Sequence, residues 1–504
     1  MRRALLVILV LLTALAAGTS RAIAGEKTRP DPSEDRFFSV ILSEGQRLEY
    51  ENLPAEQREA WRVRFWAERD PTPTTDENQR LEEHEKRVRG AILQFHDKNG
   101  EFVFDDRVRA WIRFGQPKNR ESMPGEVVVH EGMRPPREFW LYDDMILWFE
   151  DRWLNGNFIE GLSTNVSSIA SRDQYLREDT GWSVDEQLEF EESFNRFLEV
   201  NDIDVDPVLA QRMTDDGKRN FESLPEINDY DYGGAEEFRF LFDLNFLAGS
   251  GERTDLLIGF LIPLDKFDRE VEEGREAARI QRRASISDAD YRLVDRRVEN
   301  LVHRFDPIEG GGGWVVTSDS FTVDPGVYHL ALRVIDLRSK NHGILKTEVT
   351  APDFGGGEAR LSDLVFAAAV TRDERGEGAF LRRGFRIVPR PIRVYAPGED
   401  VNVYFELYNL TLGPGGRGVY EITYTLYGSA VRRFSSLLQG SDEGMLEQGV
   451  SQTFESFADD RTVSRHISLD TNSLPPDRYT LIVDVTDKGS GSADRKTAQF
   501  VVQR

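Results

Sequence analysis

The chain has 504 residues, which as a prior means about three domains. Hydrophobic residues make up 39% of it, enough for real cores, while a net charge of −25 marks it as acidic. An acidic surface repels phosphate backbones and anionic bilayers, so nucleic acid and anionic membrane surfaces are excluded as expected partners.

The N-terminus reads as an export signal. Met1-Arg2-Arg3 is a short basic start, followed by the apolar run "ALLVILVLLTALAA". That run is too short for a bilayer, which needs about 20 residues. Ala22-Ile23-Ala24 offers a small-x-small cleavage site, so residues 1–24 are expected to be a signal peptide. The expected location is periplasmic or secreted, with no membrane span after cleavage. The chain has no cysteine, hence no disulfide, no lipid-anchoring cysteine and no thiol chemistry.

Residues 25–36 read as a polar leader. A helix is expected from Pro54 to about Trp66, with Trp61 and Phe65 one turn apart. The stretch "FWAERDPTPTTDEN" at 65–78 follows. Pro71 and Pro73 end the helix and hold Asp70 to Pro73 extended. Thr74 and Glu77 have capping-box spacing for a second helix, with Leu81, Val88, Ile92 and Phe95 as its buried stripe. Val108, Ala110, Ile112 and Phe114 alternate, which predicts a strand. Gly115-Gln116-Pro117 turns the chain. Phe139–Tyr142 and Met145–Phe149 read as a hairpin. Together these make an α+β domain over 37–160. A helical linker is expected over 161–231, with a helix at 183–200. The sign-alternating stretch near 265–303 predicts a charged helix.

The remaining sequence is strand-like and contains a repeat. Tyr328, Leu330, Leu332, Val334 and Asp336 are matched by Tyr479, Leu481, Val483, Val485 and Asp487. Each set has a proline-bearing turn before it and a polar turn after it. The repeat predicts tandem β-sandwiches over 232–352 and 360–504, with the charged helix inserted in the first.

Trp66, Arg69, Asp70, Pro71, Pro73, Asp106, Arg107, Gly115, Pro117, Trp140 and Tyr142, in that order and spacing, resemble the GWxTD domain of exported bacterial proteins. The C-terminal half, with "LSDLVFAA" and the paired tyrosine strands, resembles the β-domains that follow this domain. The signature Gly-Trp-x-Thr-Asp should end at Asp106, but "FVFDD" stands there; only the last Asp and the following Arg remain. The "GWSVD" at 181–185 lies in another context. The resemblance implies a multidomain protein, an α+β GWxTD-like domain followed by two all-β Ig-like sandwich domains. It implies no established activity.

Candidate chemistry is sparse. Asp70, Asp76 and Glu77 could serve glycoside hydrolysis or a metal, but acids also favour a helix N-terminus electrostatically, and that reading is preferred. His84 has no second histidine one turn away and reads as a surface residue. Asp202, Asp204 and Asp206 have calcium-loop spacing, yet Pro207 and Met213 replace the required Gly and Glu. The glycines at 310–313 lack a following Lys-Ser/Thr. No catalytic residue, metal or cofactor is expected. The expected function is an exported envelope binding or structural protein, its partner a protein or polymer of the envelope. The alternative is a carboxylate-dependent hydrolase of a cell-wall or extracellular polymer, which requires two carboxylates about 5 to 9.5 Å apart across an open cleft. Residues 65–78 are expected to be a structural corner, with Arg69 paired to Asp106 and Asp70 facing Arg107.

Overall fold

A computed structural model describes residues 30–97, 99–128, 132–142, 146–160, 235–272, 275–305, 313–372, 381–428 and 450–503. The expected signal peptide, the expected linker and helix over 161–231, the Asp202–Asp206 run and most of the glycine run lie outside these residues. β-Strands in several sheets dominate the described chain. Two compact units form: residues 30–54 with 82–160, and Ala55–Leu81 with 235–503. The corner therefore belongs with the β-sheets, although it sits between helices in sequence.

Five helices come first: α1 (Asp35–Ser39), α2 (Glu44–Asn52), α3 (Ala55–Arg69), α4 (Gln79–Gln94) and α5 (Asp106–Phe114). The first unit holds α1, α2, most of α4 and α5, together with β1 (Asn119–Met123), the hairpin β2 (Glu126–Val128) and β3 (Gly132–Arg134), β4 (Arg137–Leu141), β5 (Ile146–Glu150) and β6 (Ile159–Glu160); α3 belongs to the second. The antiparallel sheet runs β1-β4-β5-β6. The expected hairpin is β4–β5, with Trp140 opposite Leu147. Phe95, Trp111 and Trp140 meet at centroid distances of 5.6 to 6.1 Å.

Residues 108–114 form a helix, not the expected strand. Asp105 caps it, its carboxylate accepting from Arg107 N and Val108 N. Val108, Ala110, Trp111, Ile112 and Phe114 are all buried, while Asp106 and Arg109, one turn apart at 3.5 Å, mark a partly exposed polar face, so the helical period was present beside the alternation. Arg87 donates to the Arg113 carbonyl at 2.8 Å near the helix end. Gly115 follows at φ 78°, a conformation that favours glycine.

The cap of α4 also differs. The Asn78 side chain accepts from Leu81 N at 3.0 Å and donates to the Trp66 carbonyl at 2.7 Å. The Thr74 hydroxyl is buried without a hydrogen-bond partner. His84, expected at the surface, is 4% exposed.

The second unit contains β7 (Leu241–Ala248), β8 (Thr254–Pro263), β9 (Glu270–Glu272), β10 (Arg275–Asp288), β11 (Leu293–Arg304), β12 (Trp314–Val323), β13 (Gly326–Asp336) and β14 (His342–Ala351). The charged stretch expected as a helix is β9 to β11. Ala278, Ile280, Ala284 and Ile286 alternate into the core, and the charges between them meet partners on other strands, as Arg279 meets Glu272 at 3.0 Å. Sign alternation fits either period, and cross-strand pairing decided the outcome.

The sheet β11-β10-β13-β14 faces the sheet β12-β8-β7 across a core that includes Phe260, Ile280, Leu332 and Val334. The chain continues through β15 (Arg360–Leu361), β16 (Val365–Arg372), β17 (Leu381–Arg382), β18 (Phe385–Pro389), β19 (Val394–Tyr395), β20 (Asp400–Tyr408), β21 (Gly418–Gly428), β22 (Val450–Ala458), β23 (Val463–Asp470), β24 (Asp477–Asp487) and β25 (Ala493–Val502). Here β15-β20-β16-β18-β17 faces β19-β25-β24-β21-β22 across a second core. A third apolar layer, with Leu257, Val365, Ala367 and Ile387, joins β7 and β8 to β16 and β18. Gly259 permits that approach, since a Cβ there would lie 3.3 Å from Pro389 and Pro391.

The repeated strands are β13 and β24, in different sheets of different cores. Tyr328 donates to the Asp324 carbonyl at 2.8 Å, and Tyr479 to the Pro475 carbonyl at 2.7 Å. At the other end each aspartate organises a hairpin: Asp336 accepts from Arg338 N and Ser339 Oγ, Asp487 from Gly489 N and Ser490 Oγ. The match extends to the hydrogen bonds, which alternation of apolar residues alone would not produce.

Candidate functional site

The corner rests on the outer face of β11-β10-β13-β14. Because Ala284, Ile286, Leu330 and Leu332 enter the core, their neighbours point the other way. Strand pairing aligns Arg296, Ser285, Ala331 and Lys346 in one row across four strands. Three of them donate to backbone carbonyls of the corner. Arg296 reaches Thr75 O and the Asp76 carboxylate. Ser285 Oγ reaches Pro73 O at 2.9 Å, and Lys346 Nζ reaches Asp70 O at 2.8 Å. The corner bends at Pro71 and turns over Thr72–Thr75, and its carbonyls take their donors from side chains of the sheet. Ala331 is small and leaves the chain room.

The next row along the same face is Leu293, Ser287, His329 and Glu348. These residues, with Tyr291 and the corner, line a cleft of about 370 Å³, within the size range of small-ligand sites. Tyr291 lies flat on His329, ring centroids 3.8 Å apart and planes 9° from parallel. Its backbone sits at φ 62°, in the left-handed region, inside the β10–β11 turn. Asp288 fixes that turn by accepting from Asp290 N and Arg292 N, both at 2.9 Å. A left-handed tyrosine costs on the order of 1 kcal/mol or more relative to glycine, and such strain concentrates at functional sites.

Asp70 closes the cleft from the corner side. It is 8% exposed. Its Oδ1 accepts from Thr72 N at 2.8 Å; among the described residues no hydrogen bond reaches Oδ2. Burial raises its carboxyl above the ordinary 3.8, outweighing the Thr72 amide and the Lys346 and Arg296 charges. Desolvation likewise lowers Lys346, with Asp70 opposing it. Burial raises the Tyr291 phenol, and Glu68 and Glu348 push it further in the same direction.

The resemblance-derived residues divide between the two units. Trp66, Arg69, Asp70, Pro71 and Pro73 lie in the second, where Phe65 and Trp66 are buried in edge-on contact. Arg69 is not paired with Asp106. It stacks on Phe65 with its Cζ 3.8 Å from the ring centroid and meets Glu68 at 3.2 Å. Asp106 accepts from Glu160 N at 2.8 Å. Asp70 and Arg107 belong to different units, and each has its partners within its own. Opposite charge matched these residues on paper, but nearer partners claimed them.

Asp106, Arg107, Gly115, Pro117, Trp140 and Tyr142 lie in the first unit. Arg107 is buried between Asp105 at 2.7 Å and Glu138 at 2.8 Å. Glu138 also takes Arg120 at 2.8 Å and Trp140 Nε1 at 3.1 Å. Burial pushes the Glu138 carboxyl up, but Arg120 and Arg107 outweigh it and hold it below the usual range. Tyr142 donates to Gly115 O at 3.0 Å. Sequence reading missed Asp105 and Glu138. The doubled Asp105-Asp106 before a helix was the available signal for the first.

No family model matches the chain, and no curated protein matches it. Part of it resembles Escherichia coli alpha-2-macroglobulin activated by porcine elastase, at 10% identity and a TM-score of 0.15, over 52% of this chain and 23% of that one. The trypsin-activated form of the E. coli protein resembles it at 13% identity and a TM-score of 0.17, over 54% of this chain and 16% of the other. The chain thus spans less than a quarter of either neighbour's length, and likeness at these scores says nothing of activity.

Among the described residues, no group of three or more His, Asp or Glu side chains is placed to hold a metal ion, and no helix is long and apolar enough to cross a membrane.

Proposed function

We propose that the chain is an exported envelope protein of the binding or structural type, a GWxTD-like module carried on tandem Ig-like sandwiches, with the cleft beneath the corner as its recognition site. One observation carries this reading. The cleft gathers Tyr291, His329 and Glu348 from the sheet and its hairpin turn with a free Asp70 oxygen from the corner. Aromatic anchors on a rigid frame suit recognition of a protein or polymer. The test is capture from envelope extracts by the mature chain and by Tyr291→Leu. A partner retained by the first and lost by the second supports the reading; no partner, or equal capture, defeats it.

The hydrolase alternative draws on Asp70. A buried carboxyl with a raised pKa in a cleft is suited to general acid work, with Glu68 or Glu348 as the second carboxylate. Release of soluble fragments from cell-wall polymer, abolished by Asp70→Asn, would establish it.

A further inference from the structure

We infer that the cleft recognises a cationic amine: a primary ammonium on a flexible chain, such as a lysine side chain or a diamine. This inference rests on the proposed recognition role of the cleft and names its ligand class.

Charge supplies the first ground. Four carboxylates line the cleft, Glu68, Asp70, Asp76 and Glu348, against two cations, Arg296 and Lys346. Both cations are engaged with the corner: Arg296 by Asp76 and the Thr75 carbonyl, Lys346 by the Asp70 carbonyl. On the acidic side, Glu68 meets Arg69 and Asp76 meets Arg296. The Glu348 carboxylate has no ion-pair or hydrogen-bond partner among the described residues, and Asp70 keeps one oxygen free while being more than nine-tenths buried. An ionised carboxylate can only accept. Glu348 is exposed to water, so the unmet demand of the cleft is that of the buried Asp70 oxygen, and it is for a donor.

Shape supplies the second ground. The Tyr291–His329 stack is an aromatic platform locked by strand pairing on one side and by the Asp288 turn on the other. An ammonium is attracted to the face of such a ring, more strongly where water is partly excluded. Glu68 and Glu348 act electrostatically on the Tyr291 phenol and Arg64 and Arg69 act in the opposite sense, which places acids and cations around the same ring. A neutral sugar would use the platform but would leave the excess negative charge unanswered.

The experiment is calorimetric titration of the full chain with N-acetyl-lysine methylamide, its neutral counterpart N-acetyl-norleucine methylamide, and N-acetylglucosamine. The lysine compound should bind at least about tenfold more tightly than the norleucine compound. Raising salt should weaken it. Glu348→Gln, a change on an exposed strand position, should reduce binding about tenfold, and Tyr291→Leu should reduce it comparably. Far-UV circular dichroism and the unfolding midpoint show that each variant folds. Equal binding of the charged and neutral amides, sugar binding in place of amine binding, or Glu348→Gln binding like wild type would each overturn the inference. If amines fail while envelope capture still depends on Tyr291, the ligand class falls and the recognition role stands. If amines bind but no envelope partner depends on Tyr291, the ligand class stands and the recognition role falls.

Discussion

The Arg107 cluster and the cleft are built from the same residue types and reach opposite states. Around Arg107 every charge is answered: Asp105 and Glu138 flank one guanidinium, and Arg120 and the Trp140 indole complete Glu138. In the cleft the cations are taken up holding backbone carbonyls, and Glu348 and half of Asp70 are left open. A saturated buried network stabilises and specifies a fold, whereas an unsaturated one costs stability and is available to a ligand. The shifts do not divide the same way: Glu138 is held below its ordinary value, while burial pushes Asp105 up in the same cluster as it pushes Asp70 up in the cleft.

The strongest way to break this comparison is Glu138→Ala. It leaves Arg107 with the Asp105 carboxylate alone, takes the acceptor from Arg120 and Trp140 Nε1, and should cost about 3 to 5 kcal/mol by denaturant unfolding. The effect should depend on pH. Because the folded Glu138 carboxyl lies below its ordinary 4.5, its contribution is complete above that value and is lost as pH falls through the folded pKa. Glu138→Gln should therefore flatten the acid limb of the stability curve. A loss under 1 kcal/mol would mean the cluster is not the closed network its geometry implies.

Ala331→Leu tests the seat of the corner. A larger side chain in the row between Ser285 and Lys346 should force the corner away and cost about 1 to 3 kcal/mol. Unchanged stability would show that the corner is not pressed against that row.

The twin strands come next. Tyr328→Phe and Tyr479→Phe each remove one hydrogen bond to a carbonyl four residues earlier. Each should cost about 1 to 1.5 kcal/mol. Costs that differ severalfold would argue that the two strands are not equivalent.

Asp70→Asn has the smallest expected effect and the sharpest sign. The folded Asp70 pKa is raised, so its charge opposes folding: stability is greatest below 3.8 and declines as pH rises through the folded pKa. Asn keeps the acceptor for Thr72 N and removes the charge. Stability at pH 7 should be unchanged or higher, by up to about 1 kcal/mol. A clear loss would move Asp70 from the open class to the closed one.

The sequence was informative wherever one local rule ruled alone. Pro71 and Pro73 end the helix because φ restriction acts without tertiary help, although the corner then bends at Pro71 and turns over Thr72–Thr75 instead of running extended. The tyrosine repeat was readable because its flanking turns carry their own chemistry. Where two periods suit the same residues, the reading failed. In α5 nearly every residue is buried, so alternation and helical spacing both fit. In β10 and β11 sign-alternating charges suit a helix face or a ladder equally.

The cleft was not legible, because its two sides lie more than 200 residues apart in sequence. Lys346 meets Asp70 across a separation of 276 residues, and Ser285 meets Pro73 across 212. Only the Asp288-Ala289-Asp290 run hinted at the turn that presents Tyr291. By itself the sequence determined the β-rich character, the end of the helix at the corner and the paired strands, since these follow from backbone restriction and local pattern. Tertiary structure alone decided which charges are answered. A side chain satisfies its nearest partner in space, and only the register of four strands brought Arg296, Ser285 and Lys346 beneath the corner while leaving Glu348 open.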